Sequence, residues 1–458
     1  MPDSVLEPSR RTPVIAQPDV LVVGGGAAGL AAAVAAARSG AHTLLVERHG
    51  FLGGTLSAVT LGTLCGGYRV EGEGGRVHAL VGGFYAHLVA ALRAQGATLP
   101  PRRWLRNVSV PYDPIALREQ ADRLTAAAGV RVLLHCLLAS VQVDGDRVAC
   151  AFVEHKGGRA AIRPKMVIDT TGDADLCARA GAGFDIGDDG STQFASTMVR
   201  LGGVDIERFL SITRAQRLER LEQAAADGHA LPRTSAGLQV HPGTGVVHAN
   251  ITRIREPDGS SPDLLDPWSL SAAEAEGRRQ ASLYEHVLRE YMPGFEHARL
   301  VDMGAQLGVR ESRLVHGDRQ LTEAAVRGCL KPADTIACCA WPMEQHGKGS
   351  GTTWDWLPAG DWYGIPYGCL TVRGFDNLLV AGRNLSAEHV AQSSARVAAT
   401  CMAMGEAAGT AAALAATTGC RAREVDVASL RATLANAGAL LQPGEPALAG
   451  AGVDWVEG

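Results

Sequence analysis

The first patterned stretch of the chain is an uninterrupted apolar run followed by glycines and an alanine-rich segment. The run from Val20 to Val23 predicts a short buried strand, and the alanines after it predict a helix that reaches about Arg38. Gly40 marks the end of this helix, and the apolar residues of HTLLVE predict a second strand. Strand, helix and strand in this order predict a β-α-β unit, in which a crossover helix joins two parallel strands.

The pattern of apolar and polar positions changes further along the chain. Between Arg131 and Asp169 it predicts short strands separated by VDGD and HKGG, whose Asp-Gly and Gly-Gly pairs are typical of hairpin turns. We therefore expect a three-stranded meander that leads into one more apolar strand, MVIDTTGD. Later, DNLLVAG predicts another buried strand, and ARVAATCMAMGEAAGTAAALAA predicts a long helix of small residues.

The region from about Phe184 to Pro366 is more polar and contains most of the tryptophans, which predicts a separate substrate domain. The predicted fold class is α/β, a Rossmann-like domain with a central parallel sheet and a β-meander, plus an inserted α+β substrate domain. The predicted boundaries are a flexible N-terminal tail at 1–17, a discontinuous nucleotide-binding domain at 18–183 and 367–420, the substrate domain at 184–366 and a C-terminal tail at 421–458.

Composition narrows the functional classes. The chain has 458 residues and a formal net charge of −5, and its lysines and arginines form no run, so no nucleic acid partner is expected. No apolar stretch reaches the length of a membrane span without interruption. The ten cysteines contain no CxxC or CxxxxC pair, which predicts reduced thiols in a cytoplasmic protein and argues against a dithiol redox centre. Histidines and carboxylates show no metal-ligand spacing, so no metal is expected.

The turn after the first predicted strand carries the spacing Gly24-x-Gly26-x-x-Gly29. The first glycine permits a tight turn, the second lets the backbone approach a pyrophosphate, and the third packs the helix against the strand. The N–H groups and dipole of the helix N-terminus then attract the pyrophosphate. Glu47 ends the second strand where it can hold ribose hydroxyls, which disfavours the phosphorylated ribose of NADP. The segment therefore predicts a dinucleotide site.

Three later features favour FAD over NAD. ERHGFLGGT continues past Glu47 into the glycine pair Gly53-Gly54, a second close backbone approach for which an NAD-dehydrogenase has no general need. VIDTTGDADL ends a strand in polar residues that can return to the adenosine end. NLLVAGRNLSAEHVAQSSARVAATCMAMGEAAG places a strand, a polar loop and a small-residue helix far along the chain. An extended FAD, which runs from its ADP half to the isoalloxazine across the sheet, uses all three.

These motifs together resemble the FAD-dependent oxidoreductases of the glutathione-reductase superfamily. The resemblance rests on NLLVAGR with the S..H.A..S.R pattern after it, on GVRESR and on YGIPY, and it spans about residues 18–420. It implies FAD, a glutathione-reductase-like nucleotide domain and an inserted substrate domain. The expected cofactor contacts are Gly24, Gly26, Ala27, Ala28, Gly29, Glu47, Arg48, Gly53, Gly54, Thr55, Thr171, Gly172, Asp173, Gly382, Arg383, Arg396 and Val397.

Two further expectations concern the flavin itself. The helix that starts near Ser394 to Val397 is expected to point its N-terminus at the flavin N1/C2=O edge, where a positive helix end stabilises the reduced anion. His49 and Cys65 flank the Gly53-Gly54 turn, so a covalent link to the flavin stays open as an alternative to non-covalent binding.

A flavin accepts a hydride at N5, so the protein must supply a base for the substrate proton and an anchor for orientation. The candidate pocket wall is CAWPMEQHGKGSGTTWDWLPAGDWYGIPYG, where Glu344, His346 and Lys348 lie among aromatic residues. The resembling group has an acidic residue and a histidine in this region, so Glu344 and His346 match in kind; a surface loop is the alternative for His346. His389 follows the GRN turn and is catalytic or a packed supporting residue. Tyr363 either shapes the pocket or packs in the core.

Arg310 and Arg313 in GVRESR are candidate substrate anchors, because a guanidinium group binds a carboxylate through two parallel hydrogen bonds. The two side chains share one face only if the segment is helical. A structural pairing with Glu311 or Asp302 is the alternative. In HPGTGVVHANITR, the side chains of His248 and Asn250 alternate onto the same strand face, together with Thr252, and predict a polar pocket wall.

The predicted function is that of an FAD-dependent dehydrogenase or oxidase that transfers a hydride from a small polar organic molecule to flavin N5. The alternatives are a flavin monooxygenase that uses NAD(P)H and a non-redox protein that contains FAD. The sequence leaves open the substrate and the electron acceptor, which is O2, a quinone, NAD(P) or a protein. It also leaves open the oligomeric state, and a homo-oligomer is compatible with it.

Overall fold

The structure is a computed structural model that describes residues 4–72, 75–235, 237–243, 245–346, 351–444 and 456–457. Lys348, which the sequence places along the pocket wall, lies outside the described residues. Of the predicted C-terminal tail at 421–458, residues 445–455 and 458 also lie outside them.

The central sheet is entirely parallel, as the β-α-β pattern predicts, and the α/β fold class is confirmed. Its strands lie in the spatial order Leu378–Val380, Met166–Asp169, Val20–Val23, Thr43–Val46 and Arg131–Leu133. The first four of these are buried along their whole length, because both faces of the sheet are covered. They are therefore nearly continuous apolar runs in the sequence.

Two helices of small residues, the first helix (Ala27–Arg38) and the long helix (Ala398–Thr418), pack on each other and on one face of the central sheet. Gly405 of the long helix lies directly on the backbone of Ala28, and Gly409, one turn later, lies on Ala32 in the same way. A Cβ atom at either glycine would overlap that backbone, so the GEAAG spacing is what allows the two helices to approach closely.

The predicted meander forms a separate sheet. Its strands Leu137–Asp144, Arg147–His155 and Gly158–Ile162 pair antiparallel in sequence order. The sequence places Val14–Ala16 in a flexible tail, but this segment forms a further strand parallel to Gly158–Ile162. Its side chains are mostly exposed, so its order comes from backbone pairing, which hydrophobic patterning does not reveal.

The distal sheet lies in the predicted substrate region and is antiparallel. Its strands have the spatial order Gly237–Val240, Val246–Asn250, Val199–Gly202 and Arg299–Met303. The helix Pro267–Tyr291 packs on it around a core of aromatic and aliphatic side chains. This core is separate from the cores of the central sheet. Residues 321–365, which the sequence assigns to the same region, contribute instead to the core of the central sheet.

The remaining strands are short. They are Thr63–Cys65, Tyr68–Val70, Val77–Ala79, Arg102–Trp104, Asn107–Pro111, Phe184–Ile186, Arg313–Val315, Thr335–Cys339, Met343–Gln345, Thr353–Asp355, Tyr363–Pro366 and Val456–Glu457. The remaining helices are Gly83–Ala94, Pro114–Ala127, Asp175–Arg179, Ile206–Leu210, Arg214–Ala226, Glu323–Arg327, His389–Ala395 and Val427–Asn436, with 3₁₀ turns at Gly54–Leu56, Tyr367–Cys369 and Ala422–Glu424.

All ten cysteines are free, as predicted for reduced thiols. In the part of the chain that the structure describes, no single helix has both the length and the apolarity to cross a membrane. The pair His389–Ala395 and Ala398–Thr418 meets that criterion only when taken together, across a bend of 94°.

Candidate functional site

A cavity of about 1170 Å³ extends from the carboxyl ends of the central strands to the distal sheet. Ligands of open α/β sheets bind at this edge. The volume exceeds the roughly 300–1,000 Å³ of ordinary small-molecule pockets, so the cavity has room for a dinucleotide and a substrate together. We call its two regions the glycine end, around Gly24, Gly26 and Glu47, and the arginine end, around Arg310 and Glu344.

The turn at the glycine end tolerates no side chain. Gly24 has a φ of 101°, and a Cβ atom there would lie 2.5 Å from the carbonyl oxygen of Thr170. A Cβ atom on Gly29 would overlap the carbonyl oxygen of Gly24, which also accepts a 2.7 Å hydrogen bond from Thr170 Oγ1. Direct backbone contact therefore holds the turn, the first helix and the neighbouring strand together.

The first helix begins with unpaired backbone donors. Its N-cap residue is Gly26, which has no side chain to accept from them, and Ala27 and Ala28 of the first turn line the cavity. Free N–H groups and the positive end of the helix dipole favour an anion at this position. The arrangement fits the diphosphate of a dinucleotide.

Glu47 connects the second strand to the glycine turn. Its Oε2 atom accepts a hydrogen bond from the backbone N–H of Gly25 over 2.7 Å, and its Oε1 atom accepts one from the N–H of His49 over 2.8 Å. The carboxylate still lines the cavity, where its remaining lone pairs can accept from ribose hydroxyls. The charge of Glu47 is thus held by the backbone and does not require a basic partner.

An ion pair lies beyond the strand Met166–Asp169 at the same edge of the sheet. Arg383 Nη1 donates to Asp173 Oδ1 over 2.9 Å, and Ser312 Oγ donates to the same oxygen over 2.6 Å. Burial alone would raise the pKa of Asp173, but Arg383 and Ser312 outweigh it and hold this pKa below its ordinary value. Asp173 is therefore ionised and fully paired.

Most of the residues expected to bind the cofactor line the cavity: Gly24, Gly26, Ala27, Ala28, Glu47, Arg48, Gly54, Thr55, Thr171, Gly172, Asp173, Gly382, Arg383, Arg396 and Val397. Gly29 and Gly53 lie outside this lining. Gly29 packs beneath Gly24, and Gly53 has a φ of 114° just before the Gly54–Leu56 turn. Both glycines therefore shape the backbone around the cavity and do not contribute to its surface.

The two residues that left a covalent link open also line the cavity. His49 Nε2 lies 3.0 Å from Gln306 Oε1, so its ring has a protein partner. Burial raises the pKa of the Cys65 thiol to about 12, so this thiol stays protonated at neutral pH. A protonated thiol is a poor nucleophile.

Glu344 and His346 lie side by side at the arginine end, at the strand Met343–Gln345. His346 Nε2 and Glu344 Oε1 are 3.0 Å apart, and Trp341 Nε1 donates to Glu344 Oε2 over 3.1 Å. Thr352 Oγ1 lies 3.2 Å from His346 Nδ1. Since the carboxylate accepts from Nε2–H, the Nδ1 atom carries the lone pair and accepts from the Thr352 hydroxyl.

The charges of this pair follow from its surroundings. Burial alone would raise the pKa of Glu344, but His346 and Arg396 outweigh it and hold this pKa at about 2. Burial, reinforced by the positive charge of Arg310, lowers the pKa of His346 to about 3 despite the neighbouring carboxylate. At neutral pH the pair is therefore a carboxylate beside a neutral imidazole.

Arg310 lines the cavity and is only 6% exposed. Its Nη1 atom donates to Phe194 O over 2.6 Å and to Ser196 Oγ over 2.8 Å, and Nη2 reaches Asn250 Oδ1 at 3.4 Å. These contacts fix the guanidinium group without neutralising it.

The structural pairings that the sequence left open for Arg310 do not form. Glu311 pairs with His389, and Asp302 pairs with Arg200. Consecutive residues of GVRESR therefore point in different directions, because Arg310 precedes the strand Arg313–Val315 rather than lying on a helix.

Two predicted catalytic residues lie outside the lining of the cavity. His389 Nδ1 is 2.7 Å from Glu311 Oε1 at the start of the helix His389–Ala395. Tyr363 is fully buried, and its hydroxyl lies 2.7 Å from Ser394 Oγ. Their positions match the supporting and core alternatives, because closeness in sequence to the GRN turn or to the pocket wall does not determine which way a side chain points.

The strand Val246–Asn250 contributes a polar wall as its alternation predicts. His248 and Asn250 both line the cavity. Thr252 lies beyond the end of the strand and donates to Thr197 O over 2.8 Å instead. Arg233 also lines the arginine end, and the sequence did not reveal it, because it lies in an irregular segment with no periodic pattern.

The donor set of the cavity fits a dinucleotide and does not suggest a metal. Within the described ranges, no group of three or more histidines, cysteines and carboxylates could hold a metal ion. The glycine turn, the uncapped first helix and Glu47 supply backbone donors for a diphosphate and acceptors for a ribose. These features suit FAD, whose ADP half requires both.

The chain belongs to the FAD dependent oxidoreductase family, whose family model matches residues 19–434. The match covers almost the whole chain. It confirms the predictions that the protein is an enzyme, that it is an oxidoreductase and that its cofactor is FAD.

Several solved structures match this chain at low identity. A geranylgeranyl bacteriochlorophyll reductase-like protein from Thermoplasma acidophilum is 15% identical over 92% of this chain and 83% of that chain, with a TM-score of 0.45. The p-nitrophenol 4-monooxygenase PnpA from Pseudomonas putida DLL-E4 is 14% identical over 67% and 70%, with a TM-score of 0.38. The flavin-dependent brominase Bmp2 is 13% identical over 92% and 83%, with a TM-score of 0.43.

Proposed function

We propose that this enzyme is a dehydrogenase or oxidase that removes a hydride and a proton from a small polar organic molecule. The observation that carries the proposal is the ionised Glu344 beside the neutral His346, in the same cavity as the glycine turn. A cofactor held by its diphosphate at the glycine end shares that cavity with the Glu344–His346 pair. An acceptor for a proton and a cofactor for an electron pair are the two parts that such an oxidation needs.

The residues that would hold FAD lie at two helix N-termini and at the end of the strand Thr43–Val46. The first helix would hold the diphosphate, and Glu47 would hold the ribose. The long helix also begins without a side-chain cap, at Val397, and both Val397 and Ala398 line the cavity. An uncapped N-terminus stabilises negative charge that develops nearby. FAD, when bound, supplies the acceptor for a hydride from a substrate C–H bond.

His346 is the proposed proton acceptor. Its Nδ1 atom would take the proton of a substrate O–H or N–H group, so that a C=O or C=N bond forms as the C–H bond breaks. Glu344 holds the other ring proton at Nε2 and stabilises the imidazolium that results. Before the substrate binds, the hydroxyl group of Thr352 donates a hydrogen bond to Nδ1 of His346 and fixes the orientation of the ring. The substrate O–H or N–H group would take the place of this hydroxyl.

Two finer assignments belong to the same proposal. We assign the FAD-binding part to the glutathione-reductase superfamily on the strength of the GVRESR, YGIPY and NLLVAGR motifs. We also propose that residues 184–366 form the substrate domain, supported by the distal sheet and by the placement of Arg310, Glu344 and His346 within this range.

The test is anaerobic reduction of the purified, FAD-loaded protein by a panel of small alcohols, amines, hydroxy acids and amino acids, followed by loss of the flavin's visible absorbance. We expect at least one member to reduce the flavin without a nicotinamide cofactor. Rapid reduction by NADPH alone would instead identify a monooxygenase. No reduction by any compound would favour a protein in which FAD has no redox role.

A further inference from the structure

The arginine end contains more positive charge than its protein partners balance. Arg233 and Arg310 are 8% and 6% exposed and both line the cavity, as does Arg396. Among the residues that the structure describes, none of these three arginines forms an ion pair. Buried cations in proteins are normally paired, because an unpaired buried charge is strongly destabilising.

Arg310 keeps hydrogen-bond donors free. A guanidinium group has five N–H donors in a fixed plane. Two of those of Arg310 reach Phe194 and Ser196, and a third reaches Asn250 only at 3.4 Å, beyond the normal range of a strong bond. Its other Nη2–H and its Nε–H make no hydrogen bond to a described residue. In any guanidinium group, the Nε–H and one Nη2–H lie along the same edge of the plane, where a carboxylate can accept from both.

Arg233 has still fewer partners. The only hydrogen bond of its guanidinium group within the described chain is a 3.3 Å contact from Nη2 to Ser235 Oγ. Its Nε atom is buried and has no partner there. All three arginines line the same cavity. Burial lowers the pKa of Arg310, and the positive charges of Arg396 and Arg233 lower it further.

The side chains at the arginine end carry a net positive charge that an anionic ligand would compensate. Arg233, Arg310 and Arg396 carry three positive charges, Glu344 carries one negative charge, and His346 is neutral, so positive charge exceeds negative charge among these five side chains. An anion that enters the cavity would both satisfy the free donors and compensate this excess.

We propose that the substrate is a small organic acid, and that its carboxylate binds to Arg310 and Arg233 beside the Glu344–His346 pair. This inference rests on the proposed function, since it names the substrate class of the same site. Both arginines are held from the distal side of the cavity, by Asn250 and Ser235, whereas the diphosphate cradle belongs to the central sheet. We therefore assign them to the substrate rather than to the phosphates of FAD.

Carboxylate binding would also prepare the proton acceptor. After burial, the charge of Arg310 is the largest influence that lowers the pKa of His346, with Arg396 acting in the same direction and Glu344 against it. A carboxylate bound to Arg310 offsets that positive charge and so raises the pKa of His346. The substrate would thereby strengthen the base that takes its proton.

The test uses the FAD-loaded full chain and three probes: malonate, its neutral analogue malonamide, and inorganic phosphate. Binding is followed by the change in the flavin's visible spectrum and by calorimetry. We expect malonate to bind and malonamide and phosphate to bind far more weakly. Arg310→Gln and Arg233→Gln should each weaken malonate binding by about 30-fold or more, because each removes one partner of a buried charge pair.

The matched control is Arg159→Gln. Arg159 is also a largely buried arginine, but it pairs with Glu7 and Glu154 on the meander, away from the cavity. This variant should bind malonate as the unmodified protein does. Arg310→Lys, which keeps the charge but loses the planar fork, should recover part of the affinity and shows whether the site survives substitution.

Several results would overturn the inference. Equal binding of malonamide, preferential binding of phosphate, or arginine variants that shift the flavin redox potential and leave malonate affinity unchanged would each do so. Failure of the proposed function is distinguishable. If malonate binds as expected but no organic acid reduces the flavin, the anion site stands and the oxidation does not. If a neutral substrate reduces the flavin equally well in Arg310→Gln, the oxidation stands and the anion site does not.

Discussion

The glycine end and the arginine end of the cavity are built in opposite ways. The glycine end is mostly backbone: the turn at Gly24, the N–H groups of the first helix and one carboxylate, Glu47, that accepts from backbone amides. The arginine end is made of side chains from distant segments. Gln193 Oε1 and Arg396 Nη2, for example, are 203 residues apart in sequence and 3.3 Å apart in space.

The two ends also differ in how their charges are balanced. Asp173 and Arg383 form a complete pair at the carboxyl edge of the central sheet, whereas Arg310 and Arg233 form no ion pair with a described residue. An ion pair within the protein keeps its geometry whether or not a ligand is bound. Charges without a partner in the protein favour a ligand of opposite charge. We infer that the first region fixes the cofactor and the second selects the substrate.

The largest effect is expected from Gly24→Ala. The added Cβ atom would meet the carbonyl of Thr170 at 2.5 Å and would also strain a residue whose φ is 101°, so the turn must move. We expect the protein to purify without FAD, with affinity reduced by about 100-fold or more, as a loss of roughly 3 kcal/mol implies. The measurement is flavin content and FAD titration.

The control for that variant is Gly419→Ala. Gly419 also has a positive φ, 73°, but nothing lies within 4 Å of the position of its Cβ atom. The control suffers the same kind of backbone strain and should retain FAD. Equal loss of FAD from both variants would show that backbone strain, rather than the close approach at the turn, governs cofactor binding.

Glu344→Gln is the second largest expected effect and acts on the other end alone. It removes the charge that holds His346 in its tautomer, so flavin reduction by a substrate found in the panel should slow by about 100-fold or more, while FAD content stays normal. Rapid-mixing kinetics measure the rate. Glu290→Gln, at an exposed position, should react normally. Loss of FAD from Glu344→Gln would contradict the separation of the two ends.

A third prediction concerns acid stability. The pKa of His346 is about 3 in the folded protein and about 6.5 in the unfolded chain. Between these two pH values the unfolded chain binds a proton at this residue and the folded protein does not. Stability should therefore fall as pH falls from about 6.5 towards 3, and the low pKa of Glu344 adds a further loss below about 4.5. His346→Gln should flatten the first part of this decline in urea unfolding measured across pH.

The control for the acid series is His286→Gln, whose side chain is 66% exposed. It should leave the pH dependence of the free energy of unfolding unchanged. An unchanged profile in His346→Gln would show that the arginine end does not depress this titration.

The smallest effect on the reaction is expected from His389→Ala. The residue lies outside the cavity lining and supports the buried Glu311, so the rate of flavin reduction should change by about twofold at most, while the free energy of unfolding falls by about 1–3 kcal/mol. Thermal unfolding and reduction kinetics measure both. A rate loss as large as that of Glu344→Gln would place His389 in the chemistry instead.

Much of the glycine end could be predicted from the sequence because its parts are local. Gly24, Gly26, Gly29 and Glu47 lie on one β-α-β unit, and the strict demands of a tight turn restrict these positions to particular residue types. The central strands were equally predictable, since burial on both faces produces apolar runs. The strand Val14–Ala16 was not, because backbone pairing at an edge leaves no pattern in the side chains.

The arginine end was predictable only in part. Glu344 and His346 lie two residues apart among aromatic residues, which is a local signal, and both line the cavity. No local pattern marks Arg233. Tyr363 and His389 do lie next to recognisable motifs, but their side chains contact Ser394 and Glu311 and do not line the cavity. Their directions depend on which elements pack against them, and this information is not present in the neighbouring residues.

The sequence by itself determined the class of the protein, which is an FAD-dependent oxidoreductase with an α/β fold, and the glycine turn near its N-terminus. Short-range rules suffice for these, since a glycine turn, a helix N-terminus and an acidic strand end are made by consecutive residues. Only the tertiary structure decided which charged side chains lie close together without an ion-pair partner among the described residues. Arg233, Arg310 and Arg396 come together because three separate segments fold around one cavity, and their uncompensated charge is a property of that assembly rather than of any segment.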